Sequence, residues 1–223
     1  MTEGLTAGSL LELWERAGTL GPVDRALALA GAAGADPVAL LDRPLGETHL
    51  VLLDLRESLL GPELAATATC PACAERVEFA LDTGSLRSLA PVPEAGADEA
   101  YAAARPPTPT DLLATIDAPD PVVALAGRCV NDVDLAVAEA VMTAADPLAE
   151  VLIELTCPEC GAEFEADVDV GAFVWAEVDA VTRRLLHEVD LLARAYGWTE
   201  PDVLALSQAR RAAYLRLVLE GAP

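Results

Sequence analysis

The five residues TCPAC, 69–73, return almost unchanged as TCPEC, 156–160, a spacing of 87 residues along the chain. Both copies lie between β-forming segments, and around each the apolar residues alternate with polar ones. The alternating positions are Val77, Phe79 and Leu81 after the first copy, and Val151, Ile153, Leu155, Phe164, Ala166 and Val168 around the second. A period of two is typical of half-buried strands. The pattern therefore predicts two β-hairpins, each bent at its cysteines.

Two Cys-Pro-x-Cys turns supply two pairs of thiolates, which is the donor set of a structural tetrahedral Zn²⁺ site. We expect one Zn²⁺ to be bound by Cys70, Cys73, Cys157 and Cys160. Closing a loop of about eighty rather than about twenty residues costs roughly 1.2 kcal/mol more. A structural zinc contributes an apparent ~10–16 kcal/mol. The long insertion between the two turns therefore does not oppose a shared site.

Two other interpretations of the cysteines are a pair of redox CxxC motifs and a set of unbound core thiols. A redox CxxC opens a helix in a βαβ setting, and the sequence around these motifs does not have that pattern. The fifth cysteine, Cys129, stands among Val122, Leu125 and Val130. It is predicted to be an ordinary buried thiol.

Outside the hairpins the apolar residues recur at helical spacing, so the predicted fold class is α+β, mainly helical, with the two CPxC hairpins forming a split zinc-ribbon-like unit.

Three helix starts can be predicted from capping residues. Thr110 or Asp111 is expected to cap the helix in TDLLATI. Thr199, followed by Pro201, is expected to cap the next-to-last helix, and Ser207 is expected to cap the last one. The predicted segments are an N-terminal helical region (1–62), the first zinc hairpin (63–90), an exposed Pro- and Ala-rich linker (91–110), middle helices (111–148), the second zinc hairpin (149–170) and a C-terminal helical region (171–223).

The charge is strongly acidic. The chain of 223 residues has 37 acidic residues against 14 arginines and no lysine, for a net charge of −23. Such a charge opposes non-specific binding to phosphate backbones and anionic lipid. No stretch reaches the ~18 apolar residues of a membrane span, and MTEGLTAGSL lacks the features of a secretory signal. We expect a cytoplasmic protein with no membrane partner, in a compartment where thiols stay reduced.

The sequence does not favour catalysis. Its two histidines, His49 and His187, lie in helical patterns outside any metal-binding motif, and no phosphate-binding loop or nucleophile elbow occurs. A zinc bound by four thiolates has no open coordination position. The protein is therefore predicted not to be an enzyme.

The C-terminal helical region collects most of the residues that suit a partner surface. From position 171 onward the chain has six arginines and seven acidic residues, so this region is close to neutral. A nucleic-acid-binding surface is normally basic, and we therefore expect no specific nucleic-acid partner. Aromatic residues and arginine are enriched in interface hot spots. The candidate partner-binding residues are Tyr196, Trp198, Arg210, Arg211 and Tyr214. The alternative is that these rings fold back into the protein's own core.

Three segments carry a resemblance that covers most of the chain: PLGETHLVLLDLRESLLGPELAATATCPACAERVEFAL, RPPTPTDLLA, and EVLIELTCPECGAEFEADVDVGAFVWAEVDAVTRRLLHEVDLLARAYGWTEPDVLALSQARRAAYLRLV. The chain resembles the T4-type baseplate hub assembly chaperone family, found in contractile phage tails and phage-tail-derived injection systems. In PTPTDLL, Pro107 and Asp111 match a recurring turn of the family, whereas the preceding RPP departs from its apolar lead-in.

The resemblance implies a non-enzymatic assembly factor, a chaperone or adaptor whose partners are baseplate hub or spike proteins of a contractile tail. Two alternatives remain at this point. One is a structural subunit of the baseplate, and the other is a zinc-ribbon regulatory or nucleic-acid-binding protein. An acidic protein with a metal site and amphipathic helices is suited to holding a protein partner.

Overall fold

The computed structural model describes residues 5–90, 104–131 and 134–221, and it confirms a mixed α and β fold that is mainly helical. Its first half comprises α1 (Ala7–Gly18), α2 (Pro22–Ala32), α3 (Pro37–Leu40), α4 (Leu45–Leu60), β1 (Glu63–Thr69), β2 (Arg76–Asp82) and α5 (Thr83–Arg87). Its second half comprises α6 (Pro109–Thr115), α7 (Pro121–Cys129), α8 (Leu135–Ala145), β3 (Leu152–Thr156), β4 (Glu163–Asp167), α9 (Val170–Tyr196), α10 (Glu200–Leu204) and α11 (Gln208–Glu220).

The chain divides into two compact units. A terminal unit combines residues 1–20 with residues 175–223, and a central unit contains residues 21–174. The terminal unit therefore draws on both ends of the sequence. The central unit holds both hairpins and all five cysteines.

Both predicted hairpins are present as two-stranded antiparallel sheets. In β1–β2 the pairing runs from Glu63 opposite Asp82 to Thr69 opposite Arg76. In β3–β4 it runs from Leu152 opposite Asp167 to Thr156 opposite Glu163. In each hairpin the last pair joins the threonine that precedes the CPxC motif to the residue three positions beyond its second cysteine. The motif therefore lies at the same place in both turns.

The core of the central unit is aliphatic. On α4, Leu52 and Leu53 have no exposed surface, and Leu29 of α2 is equally buried. Helix α4 ends at Gly61, which adopts φ +86° in the left-handed region where glycine is unstrained. The buried guanidinium of Arg56 donates a hydrogen bond to the Gly61 carbonyl. This contact fixes the exit of the chain into the first hairpin.

The terminal unit has its own buried cluster, in which Val189, Leu192 and Val203 are in contact. Within this unit, the Trp14 ring donates a hydrogen bond from Nε1 to Asp179 Oδ1 at 2.7 Å. The same carboxylate accepts from Arg183 Nε at 2.7 Å. These contacts join α1 to α9, although the two elements are more than 150 residues apart in sequence.

The helix starts confirm two of the predicted caps. Thr199 caps α10 in a capping box with Asp202, and Ser207 caps α11. The predicted cap of the TDLLATI helix is wrong. The helix begins at Pro109, and Thr108 caps it by accepting a hydrogen bond from the Asp111 N–H. Proline is favoured at the first helical position, and this moves the cap to Thr108.

The predicted exposed linker 91–110 is only partly described by the structure. Residues 91–103 lie outside the described residues. For residues 104–110 the prediction of exposure is wrong, because Ala104, Pro106 and Pro109 are buried. Ala104 forms an isolated antiparallel bridge with Val130, and the Arg105 N–H donates to the Cys129 carbonyl at 2.9 Å. This stretch is therefore packed against the end of α7.

Among the described residues, none of the helices combines the length and the apolar character that a bilayer span requires.

Candidate functional site

The two CPxC turns have the same backbone hydrogen bonds. In the first, the Cys70 N–H donates to the Glu75 carbonyl at 2.8 Å, and the Ala74 N–H donates to the Cys70 carbonyl at 2.9 Å. In the second, the Cys157 N–H donates to the Ala162 carbonyl and the Gly161 N–H to the Cys157 carbonyl, both at 2.9 Å. In each turn, therefore, the first cysteine both donates and accepts a backbone hydrogen bond. The repeated sequence produces a repeated local structure.

The residue after each second cysteine has a positive φ angle. It is Gly161 at +72° in the second turn and Ala74 at +61° in the first. Among the described residues, Ala74 is the one non-glycine residue in this region. The left-handed conformation costs an L-residue about 1–2 kcal/mol. The first turn therefore holds a local strain that the second does not.

The four predicted ligands come together, as expected from the sequence. The sulfur atoms of Cys70, Cys73, Cys157 and Cys160 all lie within 4.8 Å of one another. Cys70 Sγ is 3.7 Å from Cys160 Sγ, and Cys73 Sγ is 3.6 Å from Cys157 Sγ. Both short distances join opposite turns and are well above the ~2.05 Å of a disulfide bond.

The spacing of the sulfurs fits a tetrahedral metal site. Four thiolates at about 2.3 Å from a central ion lie about 3.8 Å from one another, by the geometry of a tetrahedron. The short sulfur separations of 3.6 and 3.7 Å match that edge length. The arrangement is therefore compatible with one metal ion bound by both hairpins.

The cluster has a buried and an exposed side. Cys70 and Cys157, the first cysteines of the two motifs, are both 1% exposed and form a buried cluster with Val77, against which Phe164 packs. Cys73 and Cys160, the second cysteines, are exposed. A metal ion would thus enter from the side of the second cysteines, and the apolar side chains would shield it from behind.

The thiols differ in acidity. Burial favours the neutral form of Cys70, but hydrogen bonds from the backbone N–H groups of Cys73 and Ala72 and from the thiols of Cys73 and Cys157 together outweigh it and lower the pKa of Cys70 to about 7. The Glu75 N–H favours the thiolate of Cys73, but the neighbouring thiols and burial outweigh it and raise that pKa to about 12. Because one thiolate opposes the next, four thiolates need a cation to coexist, and metal binding releases protons.

Cys129 does not belong to the cluster. It is 2% exposed, and burial raises the pKa of its thiol. Its Sγ lies 4.0 Å from a carboxylate oxygen of Asp111. The prediction that Cys129 is an ordinary buried thiol is therefore confirmed, and the residue lies outside the four-cysteine cluster.

A charged cluster around Asp111 was missed by the sequence analysis, which considered this residue as a helix cap and as part of a turn shared with the resembled family. Its carboxylate is 1% exposed and accepts hydrogen bonds from Arg105 at 2.6 and 3.0 Å and from Arg128 at 2.8 Å. Thr108 also donates to it, at 2.9 Å. The Arg105 hydrogen bonds, opposed by burial and assisted by Arg128, hold the pKa of Asp111 well below its usual range. No local signal in the sequence connects Asp111 to an arginine 17 residues away.

The three candidate aromatic residues of the C-terminal region form one cluster in the terminal unit. Tyr196 stacks on Trp198 with ring centroids 4.7 Å apart, and Tyr214 meets Trp198 edge-on at 4.9 Å. Trp198 and Tyr214 also pack against the buried Val189, Leu192 and Val203. Tyr196 remains 40% exposed. Two of the rings thus support the core, and the third offers its surface to solvent.

The two candidate arginines lie in different environments. Arg210 is exposed. Arg211 is 8% exposed, donates from Nε to Glu188 at 3.1 Å, and donates to the Leu206 carbonyl at 2.8 Å. Arg211 therefore connects α9 to the start of α11, and Arg210 is the arginine that a partner can reach.

No protein-family model, curated protein or solved structure matches the chain. Its function must therefore be inferred from the cysteine geometry, the surface and the sequence resemblance.

Proposed function

We propose that the protein is a non-enzymatic assembly factor for the baseplate hub of a phage-like contractile tail or injection system, and that its four clustered cysteines hold one structural Zn²⁺. The observation that carries the proposal is the four-sulfur cluster, in which each hairpin supplies two ligands. In this arrangement the two hairpins form a split zinc-ribbon-like unit. Zinc is the ion that four thiolates in tetrahedral geometry most often bind as a structural metal.

The chemistry of such a site supports a structural role. Four protein thiolates fill the tetrahedral coordination of zinc and leave no position for water or a substrate. The ion would instead join two segments 84 to 90 residues apart in sequence, which is a gain in folding free energy. This favours a binding protein over an enzyme.

The assembly role is supported by the resemblance to the baseplate hub assembly chaperone family, which extends through both cysteine motifs and into α11 as far as Val218. The proposed partners are hub or spike proteins, met in the cytoplasm without a nucleic acid or a membrane. On the terminal unit, the exposed Tyr196 and Arg210 are the residues we assign to partner contact. Trp198, Tyr214 and Arg211 would hold that surface in place.

The experiment is affinity purification of the tagged full chain from its native cells while particles are being assembled, with partners identified by mass spectrometry. We expect a hub or spike protein to be recovered with the wild type and with Cys129→Ser, and about one zinc per chain under the four-thiolate arrangement. The double variant Tyr196→Ala with Arg210→Ala should keep its zinc and lose the partner. Arg210 is exposed, and Tyr196 is 40% exposed, so the loss of its ring contacts with Trp198 and Tyr214 should cost no more than about 1.5 kcal/mol per ring pair and leave the fold in place.

Three results would reject the proposal. Recovery of no tail component would remove the assembly role, and a zinc-free native protein would remove the metal. Specific, salt-sensitive DNA binding would favour a regulatory protein. The protein composition of purified finished particles distinguishes an assembly factor from a baseplate subunit. An assembly factor leaves the particle, whereas a baseplate subunit is retained in it.

A further inference from the structure

Helix α8 is an apolar helix that the described residues leave largely uncovered. Its sequence, LAVAEAVMTAA, contains one charged residue, Glu139. Ala138 is buried, whereas Val137 is 53% exposed and most of the other described side chains of the helix are exposed or half-buried. A surface helix of a soluble domain normally places polar residues on its outer face. An apolar outer face is typical of a surface that meets another molecule.

The two preceding helices add to this surface. Leu113 lies on α6 and Ile116 follows that helix directly, and both are exposed. On α7, Val122 and Val123 are 77% and 66% exposed. Scattered exposed apolar residues need no explanation, but these lie on or directly beside three successive helices.

A groove of about 320 Å³ opens among these helices. Its apolar lining comes from all three of them: Leu112 of α6, Val122, Leu125 and Ala126 of α7, and Met142 of α8. A second hollow of about 450 Å³ shares Leu45, Leu112, Ala149 and Glu150 with the first. The two hollows are therefore adjacent.

The charges around the groove have one sign. Every described residue that lines it and carries a charged side chain is acidic, namely Glu139, Asp146 and Glu150. Asp146 is buried and accepts a hydrogen bond from the Gly46 N–H at 2.9 Å, so it serves the fold. Glu139 and Glu150 are exposed at the rim. An apolar floor with acidic edges is complementary to an apolar segment with basic edges.

We propose that the groove formed by α6, α7 and α8 binds an amphipathic helix of a protein partner, with its apolar face in the groove and Lys or Arg residues beside Glu139 and Glu150. The helical walls suit helix-in-groove recognition. A second copy of this chain would bring an equally acidic rim against the first, at a net charge of −23 per chain. A small ligand in the hollow would leave Val123 and Val137 uncovered. The proposed surface is independent of the cysteine cluster and of the kind of particle that is assembled.

Met142 provides a direct probe of the groove. The chain has two methionines, Met1 and Met142, so methyl-labelled methionine in the full-length, metal-loaded protein gives one reporter signal from the groove. The probes are two synthetic helical peptides with the same leucine face, one with lysine and one with glutamate at the polar positions. We expect the lysine peptide to shift the Met142 methyl signal saturably, and the glutamate peptide to leave it unchanged. Added salt should weaken the lysine peptide's binding.

Matched variants localise the binding. Val122→Asn should weaken the lysine peptide about tenfold, since a buried valine side chain is worth on the order of 1.5 kcal/mol. Val38→Asn should leave the affinity unchanged, because Val38 is 72% exposed on α3 and does not line the groove. Glu139→Gln with Glu150→Gln should weaken binding and flatten its salt dependence.

Equal binding of the two peptides, equal weakening by the two valine variants, or an unshifted Met142 signal would overturn the proposal. A Met142 signal that moves with protein concentration alone would also overturn it, in favour of a second copy as the occupant.

Discussion

The strands of the first hairpin are seven residues long, and those of the second are five. The two hairpins also differ beside the cysteines, where Ala74 corresponds to Gly161 and Val77 to Phe164. They agree in the Thr-Cys-Pro-x-Cys sequence, in the hydrogen bonds of the turn and in the sign of φ after the second cysteine. The shared features are those that set the positions of the sulfurs. Strand length and the packing residue can vary because they do not set the positions of the sulfurs.

The largest expected effect comes from removing a ligand from either hairpin. Cys70→Ser and Cys157→Ser should each lose the metal and unfold both hairpins, because a structural zinc contributes an apparent ~10–16 kcal/mol and a whole domain is stable by only about 5–15 kcal/mol. Metal analysis and circular dichroism measure the two effects. Cys129→Ser should keep its full metal content. If one cysteine variant lost the metal and the other retained it, the hairpins would not be equivalent partners.

In the segment between the hairpins, Asp111 accepts hydrogen bonds from Arg105 and Arg128 and joins α6 to α7. Asp111→Asn should lower the free energy of unfolding by about 2 kcal/mol, because it removes the charge that accepts the arginine hydrogen bonds, while the two arginine side chains, 41% and 42% exposed, stay solvated. Metal content should not change. Urea denaturation of the metal-loaded protein measures the loss. The control is Asp120→Asn, where asparagine still caps α7 and the change should stay within about 0.5 kcal/mol. Equal losses in the two variants would contradict the assignment.

Asp111 also predicts a pH dependence. Its pKa is lower in the folded protein than the ~3.9 of an unfolded aspartate, so its stabilisation is complete above about pH 4 and is lost as the pH falls through the folded pKa. The stability difference between the wild type and Asp111→Asn should therefore shrink as the pH falls below about 4. A difference that stays constant with pH would show that Asp111 acts through its shape and not its charge.

The packing residues behind the sulfurs give a smaller effect. Val77→Ala should cost about 1.5 kcal/mol, the transfer free energy of two buried methylene equivalents. Phe164→Ala should cost about 2 kcal/mol, less than a fully buried phenylalanine because Phe164 is only partly buried. Both variants should also bind zinc more weakly in competition with a chelator, since folding and binding are coupled. Leu152→Ala, half-exposed on β3, is the control and should change neither quantity appreciably.

The parts of the molecule that the sequence predicted correctly depend on short-range patterns. A period of two indicated the strands, the paired CPxC spacing indicated the sulfur cluster, and Thr199 and Ser207 were recognisable as caps. The Asp111 cluster was missed because its two arginines reach it only after α6 and α7 have packed. For the aromatic rings of the C-terminal region, the sequence allowed two interpretations, a partner-binding surface or burial in the protein's own core. The structure places Trp198 and Tyr214 against the core and leaves Tyr196 partly exposed.

The strain at Ala74 was also missed, for a different reason. Alanine gives no local signal of a positive φ angle, whereas glycine at the equivalent position 161 does. The repeat itself contains the information, because two turns that present their sulfurs alike need the same backbone. Aligning Ala74 with Gly161 would have predicted the conformation of the first turn from the second.

The smallest effect, and the sharpest comparison of the hairpins, comes from exchanging these two residues. Gly161→Ala should destabilise by about 1 kcal/mol through backbone strain alone, because a methyl group there meets no atom within 4 Å. Ala74→Gly should relieve about 1–2 kcal/mol of strain and lose about 0.4–1 kcal/mol to the freer unfolded chain, a net stabilisation of up to about 1.6 kcal/mol. Denaturant midpoints of the metal-loaded variants measure both. Ala72→Gly is the control in the same turn: φ is not positive at Ala72, so glycine there should only destabilise. If Ala74→Gly destabilised as much as Ala72→Gly, the first turn would not be strained, and the hairpins would differ in sequence without differing in energy.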